Sequence, residues 1–157
     1  MVNVLFVCLG NVCRSPMAEV IFRKLVNEAG LSDQIKIDSA GTSDEEQGNQ
    51  PQPGTIETLT KHHLPWQDLR ARQITTKDFE WADYIITMDH QNLIDLKRMA
   101  PKGCADKVHL CLDIFADQKG TPIPDPWYTH KFEYTYDVLA KAMPAWLTYI
   151  KKHSLNQ

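Results

Sequence analysis

The sequence predicts an α/β fold: a single domain with a four-stranded parallel sheet, helices on both faces and a phosphate-binding loop after strand 1. Three observations carry this. Apolar, β-branched runs alternate with helix-length amphipathic segments along the whole chain. The first run, Val2–Val7, is continuously apolar apart from Asn3, the pattern of a parallel strand buried on both faces. The 157 residues show no internal repeat or composition break, and that length supports one proper core without staples.

The elements follow in order. After Val2–Val7, the Ser15-Pro16 pair reads as a helix start, with Glu19 in the first turn where the helix dipole favours an acid. This helix is expected to run from Pro16 to about Ala29 and end at Gly30, with Val20, Ile21, Leu25 and Val26 facing inward. Ile35–Ala40 alternates as a second strand and stops at Gly41. The polar stretch Ser43–Gly54 reads as an exposed loop, followed by a helix from Thr55 to about His63 and a loop through Pro65-Trp66. Tyr84–Met88 is a third strand, Gln91–Met99 a helix halted by Pro101, and Val108–Leu110 a short fourth strand. Beyond the proline-rich segment Thr121–Pro126, a last amphipathic helix spans about Lys131 to Lys152, and Pro144 is expected to kink or interrupt it. Trp66, Trp81 and Trp146 are assigned to the core. In such a fold, ligand binds at the carboxyl end of the strands.

Composition narrows the function classes. A net charge of −3 gives no general nucleic-acid footprint, and no apolar stretch reaches membrane-spanning length. Four cysteines without a leading charged and apolar segment point to reduced thiols and a cytoplasmic setting. His62-His63, His90 and His109 lack ligand spacing with cysteines or acids, so no metal site is expected. Lys151-Lys152-His153 reads as a solvated helix end.

Chemistry concentrates in Cys8-Leu9-Gly10-Asn11-Val12-Cys13-Arg14-Ser15. A strand delivers Cys8 into a tight turn, Arg14 follows six positions later and a helix begins at once. A free thiol is mostly protonated at neutral pH, but loop N–H groups, a helix N-terminus and a nearby guanidinium favour the nucleophilic thiolate. Arg14 offers a planar fork for two phosphoryl oxygens. Gly10 permits close backbone approach, Asn11 can hold an unusual loop conformation, and Ser15 can donate to the Cys8 sulfur. Leu9 and Val12 are placed at the pocket floor. The Gly-Lys-Ser/Thr element of a nucleotide-binding loop is missing, so this is a nucleophile loop. The cysteine-to-arginine spacing alone is weak, since a cysteine is often only a small buried hydrophobe. Its agreement with the strand, turn and helix start gives it weight.

A proton donor for the leaving oxygen is the second requirement of such nucleophilic chemistry. Asp125 lies between Pro124 and Pro126, which stiffen its loop, although an Asp in that setting is commonly just a turn residue. Trp127 and Tyr128 follow and suit stacking on a flat leaving group, or covering the core.

The segment Phe6–Glu19, with Asp125-Pro126-Trp127-Tyr128, closely resembles the low-molecular-weight protein tyrosine phosphatases. Asp38–Thr42, Ala71–Thr75, Asp78-Phe79 and Met88-Asp89 look like further landmarks in the expected order. The resemblance implies that Cys8 is the nucleophile, Arg14 binds phosphate and Asp125 is the general acid and later base. It implies that Cys13 is a redox partner able to protect Cys8 as a disulfide. Leu9, Gly10, Asn11, Val12, Cys13, Ser15, Trp127 and Tyr128 are expected to form the substrate-binding surround. The implied substrates are phosphotyrosine-containing proteins or small aryl phosphates, with no cofactor, no nucleic acid and no membrane, for a monomer or weak dimer.

Two positions depart from the family pattern. Glu45 stands where many members place an aromatic wall, and Leu69 where many have a histidine supporting the loop. Three other readings stay open. Protein-arginine phosphatases share the loop but typically carry Thr where this chain has Val12. Thioredoxin-linked arsenate reductases share it too, and Cys104 and Cys111 offer an extra thiol pair. An inactive phosphate-binding interaction module is the third.

Overall fold

The computed structural model describes residues 1–155. Its elements are β1 (Val2–Cys8), α1 (Arg14–Glu28), β2 (Ile35–Gly41), α2 (Pro53–Lys61), α3 (Thr76–Trp81), β3 (Tyr84–Thr87), α4 (His90–Met99), β4 (Val108–Leu110), α5 (Pro126–Thr129) and α6 (Phe132–Ile150). The four strands form one parallel sheet in the order β2-β1-β3-β4. β1 is central, pairing Val2 with Ile35 through Cys8 with Gly41 on one side and Val4 with Tyr84 through Val7 with Thr87 on the other.

Alternate residues of β1 supply two different cores, which is why its sequence is apolar without alternation. Val4 and Phe6 pack with Met17 and Phe22 of α1 and with Leu139, Met143 and Trp146 of α6. Phe6 meets Phe22 edge to face, with ring centroids 5.4 Å apart. Leu5 and Val7 pack on the other face with Phe79 of α3 and Leu96 of α4. Strand order reverses at β1, so the loops leaving β1 and β3 diverge at the carboxyl edge and open a crevice there. Cys8, the last residue of β1, stands at that edge.

The structure corrects several expectations. Helix α1 begins at Arg14 rather than Pro16, with Cys13 at the cap position and no side-chain cap. The Ser15 hydroxyl is engaged by Cys8 and Asn11 and does not cap the helix, while Pro16, which lacks an N–H, is tolerated within the first turn. Glu19 lies beyond the first turn and is buried, accepting from Ser39 and pairing with Arg23. Helix α3 was not expected; it starts with a reciprocal capping box between Thr75 and Asp78, a signal visible in the sequence. The one-turn α5 was also unforeseen: Asp125 caps it and Pro126 takes its first position.

Helix α6 passes Pro144 without interruption and closes in a wider π-type turn over Lys151–Leu155. Of the three tryptophans assigned to the core, Trp146 is buried, Trp66 half-buried and Trp81 exposed. Phe79 takes the inward face of α3, and a residue two positions later on a helix points away from that face. Among the described residues, no helix is long and apolar enough to cross a membrane.

Candidate active site

The loop from Leu9 to Cys13 is held from behind by side chains and from outside by backbone bonds. Asn11 adopts a left-handed conformation, φ +59°, which asparagine tolerates better than most residues. Its Nδ2 donates to Ser15 Oγ at 2.8 Å and Ser39 Oγ at 3.0 Å, and its Oδ1 accepts the Arg72 backbone N–H at 3.1 Å. The Cys8, Leu9 and Val12 carbonyls accept from the N–H groups of Thr42, Ser43 and Gln52 at 2.9, 3.0 and 2.9 Å. Among the described residues, the N–H groups of Gly10, Asn11, Val12 and Cys13 meet no protein acceptor. Such a set of unpaired N–H groups beside a helix N-terminus is an anion-binding concavity.

Gly41, at the end of β2, makes the packing possible. A Cβ there would lie 2.7 Å from the Leu9 carbonyl oxygen, so only glycine lets β2 approach the loop this closely.

Cys8 is buried, and its Sγ lies 3.1 Å from Ser15 Oγ. The Arg14 side chain is buried beneath the loop. Its Nη1 donates to Asp89 Oδ2 at 2.7 Å and the Ile123 carbonyl at 2.8 Å, and its Nη2 to Asp125 Oδ2 at 3.3 Å. Its Nε is buried and meets no partner among the described residues. Burial opposes the guanidinium charge, but Cys8, Asp125 and Asp89 together outweigh it and raise the pKa, so Arg14 stays a cation. Asp125 Oδ1 accepts the Trp127 N–H at 3.0 Å, which fixes the carboxylate at the start of α5.

A cavity of about 120 Å³ opens over these groups. Cys8, Leu9, Gly10, Val12 and Cys13 make its floor, Ser43, Glu45 and Glu46 one wall, and Asp125, Trp127 and Tyr128 the other. Trp127 and Tyr128 are 45% and 70% exposed, so they stand at the cavity mouth and do not cover the core. Asn11 and Ser15, placed with the substrate-binding residues by sequence, do not line this cavity; they brace the loop from below. Asp89 was missed as a site residue. Its position before α4 reads as a helix cap, and its Oδ1 does accept the Asn92 N–H at 2.8 Å, but its grip on Arg14 has no local signal.

The remaining expectations sort by burial. Burial pushes the Cys13 thiol up to about 12. All four cysteines are free thiols, and Cys104 and Cys111 lie in separate core clusters. Leu69, where the resemblance places a histidine, is buried in the core. Ser39, Ser15 and the Arg72 N–H hold Asn11 without it. Burial raises the Glu19 pKa although Ser39 and Arg23 act against the rise.

A parallel-sheet fold with a cysteine loop at its switch point, a buried arginine behind the loop and an aspartate facing it defines a class of phosphate-handling α/β proteins. Residues 3–156 match the family described as low molecular weight phosphotyrosine protein phosphatase, and the chain belongs to that family. It is 41% identical over 152 residues to the low molecular weight protein-tyrosine-phosphatase YfkJ of Bacillus subtilis (strain 168), covering 97% of each chain. It is 45% identical over 149 residues to the low molecular weight phosphotyrosine protein phosphatase of Rattus norvegicus, covering 92% of this chain and 93% of that one. The crystal structure of YfkJ from Bacillus subtilis superposes with a TM-score of 0.93 at 40% identity, covering 98% of this chain and 97% of that one.

Proposed function

We propose that this chain is a protein tyrosine phosphatase that hydrolyses phosphotyrosine and small aryl phosphates through a cysteinyl-phosphate intermediate, residues 1–157 acting as one catalytic domain. The observation that supports this best is convergence: Cys8 on the cavity floor, Asp125 on its wall, and Arg14 beneath with an unpaired Nε.

In the first step the Cys8 thiolate attacks phosphorus, forming the S–P bond as the P–O bond to the aryl group breaks. Asp125 delivers its proton to the leaving oxygen, a contribution of typically 10²–10⁴-fold. Arg14 and the loop N–H groups hold the equatorial oxygens, so their stabilisation grows with the charge of the transition state. In the second step Asp125, now a carboxylate, takes a proton from water as that water attacks phosphorus. The S–P bond breaks, phosphate leaves, and the Ser15 hydroxyl, 3.1 Å from Sγ, stabilises the departing thiolate. Leu9, Gly10 and Val12 shape the floor, and Trp127 and Tyr128 stack on the aryl ring. Cys13 serves as the reversible oxidation partner of Cys8. We place the protein in the cytoplasm, as a monomer or weak dimer.

Hydrolysis of an aryl phosphate by wild type and Cys8→Ser, with a thiol reductant present, tests the reading. Turnover in the first and loss of at least about 10³-fold in the second is the expected outcome. A folded wild-type protein without turnover overturns it.

A further inference from the structure

The two walls of the cavity differ in chemistry. One is aromatic, with Trp127 and Tyr128 at the mouth. The other carries Glu45 and Glu46, continued by the exposed Asp44. This acidic segment is fixed against the catalytic loop. Ser43 N–H donates to the Leu9 carbonyl at 3.0 Å, Gly48 N–H to the Ala71 carbonyl at 2.8 Å, and Gln47 Oε1 accepts the Gln73 N–H at 3.0 Å. Glu46 is held further by Asn49 Nδ2 at 3.0 Å, and Glu45 by its turn on Ser43.

Among the described residues, no Lys, Arg or His lies within ion-pair distance of Asp44, Glu45 or Glu46. Nor is any Lys, Arg or His among the residues lining the cavity. Arg14, beneath the loop, is buried and already pairs with Asp89 and Asp125. No cation of the described residues pairs with this wall, so its negative charge is offered at the mouth, apart from the anion-binding loop at the floor.

A bare aryl phosphate dianion gains nothing from such a wall and is repelled by it. A substrate that brings positive charge beside the phosphate reverses the sign. Resting on the phosphatase reading above, we propose that Glu45 and Glu46, with Asp44, select phosphotyrosine segments whose flanking residues are lysine or arginine, and discriminate against acidic flanks. The aromatic wall takes the tyrosine ring while the acidic wall takes the basic neighbours, so the two demands are met by opposite sides of one opening.

Each exposed pair contributes little alone, and two or three acting together give discrimination on the order of tenfold in kcat/KM at low salt. Screening removes it: at roughly 0.5 M salt the Debye length is only about 4 Å.

The test compares two phosphotyrosine peptides of equal length, one flanked by lysines and one by glutamates, with p-nitrophenyl phosphate as a third substrate. Wild type and the Glu45→Gln/Glu46→Gln variant are assayed at low and high salt. The expected result is a basic-to-acidic kcat/KM ratio of about ten for wild type, falling toward one in the variant and in wild type at high salt. The Glu45→Lys/Glu46→Lys variant, which turns the wall from net negative to net positive, is expected to invert the preference. Turnover of both peptides with a ratio near one in wild type overturns this inference and leaves the phosphatase reading intact. A preference that persists undiminished in both variants also overturns it, because the selectivity then comes from elsewhere. Absence of turnover on all three substrates overturns the phosphatase reading itself.

Discussion

Asp89 shows how one side chain can serve a helix and a site at once. Oδ1 caps α4 by accepting the Asn92 N–H, and Oδ2 holds Arg14 Nη1 at 2.7 Å. Asp89→Ala removes both roles. Loss of a cap costs about 1 kcal/mol, which lowers Tm by roughly 2–4 °C for a domain of this size. Loss of the charged contact to Arg14 is expected to lower kcat/KM about tenfold or more. Asp89→Asn keeps a good capping residue, so its Tm should lie closer to wild type while kcat/KM still falls. Kinetics that match wild type in both variants would remove Asp89 from the positioning of Arg14. At Asp125, the proposed acid role predicts that Asp125→Ala slows poor leaving groups far more than good ones, by up to 10²–10⁴-fold. Aryl phosphates of graded phenol pKa measure this directly; equal losses across the series would end that assignment.

At the scale of elements, the catalytic loop is a junction between β1, α1, β2 and the segment around Arg72. Gly41 accepts the Ile74 N–H and gives its own N–H to the Arg72 carbonyl, each at 2.8 Å, while its missing side chain admits the Leu9 carbonyl. A methyl group 2.7 Å from that oxygen cannot be accommodated without moving backbone, since the three nearest atoms, from Leu9, Gly10 and Asn11, are all main chain. Gly41→Ala is therefore expected to cost about 1–3 kcal/mol and to lower kcat more than a comparable substitution elsewhere in β2. Thermal unfolding with steady-state kinetics checks both parts, and a fully active, equally stable variant would show that the loop yields at no cost. Behind the loop, a chain of contacts runs from Arg23 through Glu19, Ser39, Asn11 and Ser15 to Cys8. It holds the loop through hydroxyl, amide and carboxylate groups, while Leu69 lies in the apolar core.

For the molecule as a whole, charge groups tie elements that the sheet does not pair. Arg72 reaches Asp78 of α3 through two hydrogen bonds, at 2.8 and 2.9 Å, and Asp38 of β2 at 3.0 Å. Burial alone would raise the Asp78 pKa, but the Arg72 hydrogen bond and those from Thr75 overcome it and hold the carboxyl below its ordinary range. A depressed folded-state pKa gives stability that is fully present above the unfolded value, about 4, and is lost as pH falls through the folded value. The Tm advantage of wild type over Asp78→Asn should therefore be largest near pH 7 and shrink below about pH 4. A constant difference from pH 7 to 2.5 would show that the pair carries no linked proton. Glu19 has the opposite sign: burial raises its pKa, so its contribution is greatest at low pH and declines as pH rises through the raised value.

The sequence by itself determined what is local. The doubly apolar β1 and the β2, β3 and β4 runs emerge within a residue or two of their expected ends, because period and β-branching are properties of short windows. The cysteine loop was legible because its parts are adjacent: strand end, turn, arginine and helix start within eight positions, Cys8 to Ser15. The Thr75–Asp78 capping box was equally local and went unread. Tertiary structure alone decided which distant groups meet. Arg14 finds Asp89 across 75 residues and Asp125 across 111, distances along the chain over which no periodicity or spacing carries information. Strand order brings Arg14 and Asp89 together, since β1 and β3 are parallel neighbours whose following segments leave from the same edge, and the segment after β4 carries Asp125 back to that edge. Packing of α3 on the sheet leaves Trp81 outside while Phe79 is buried, and a backbone bond from Ser43 to Leu9 ties the segment bearing Asp44–Glu46 to the catalytic loop. Local sequence specifies each element and its chemistry; only the packed sheet specifies which elements share a cavity.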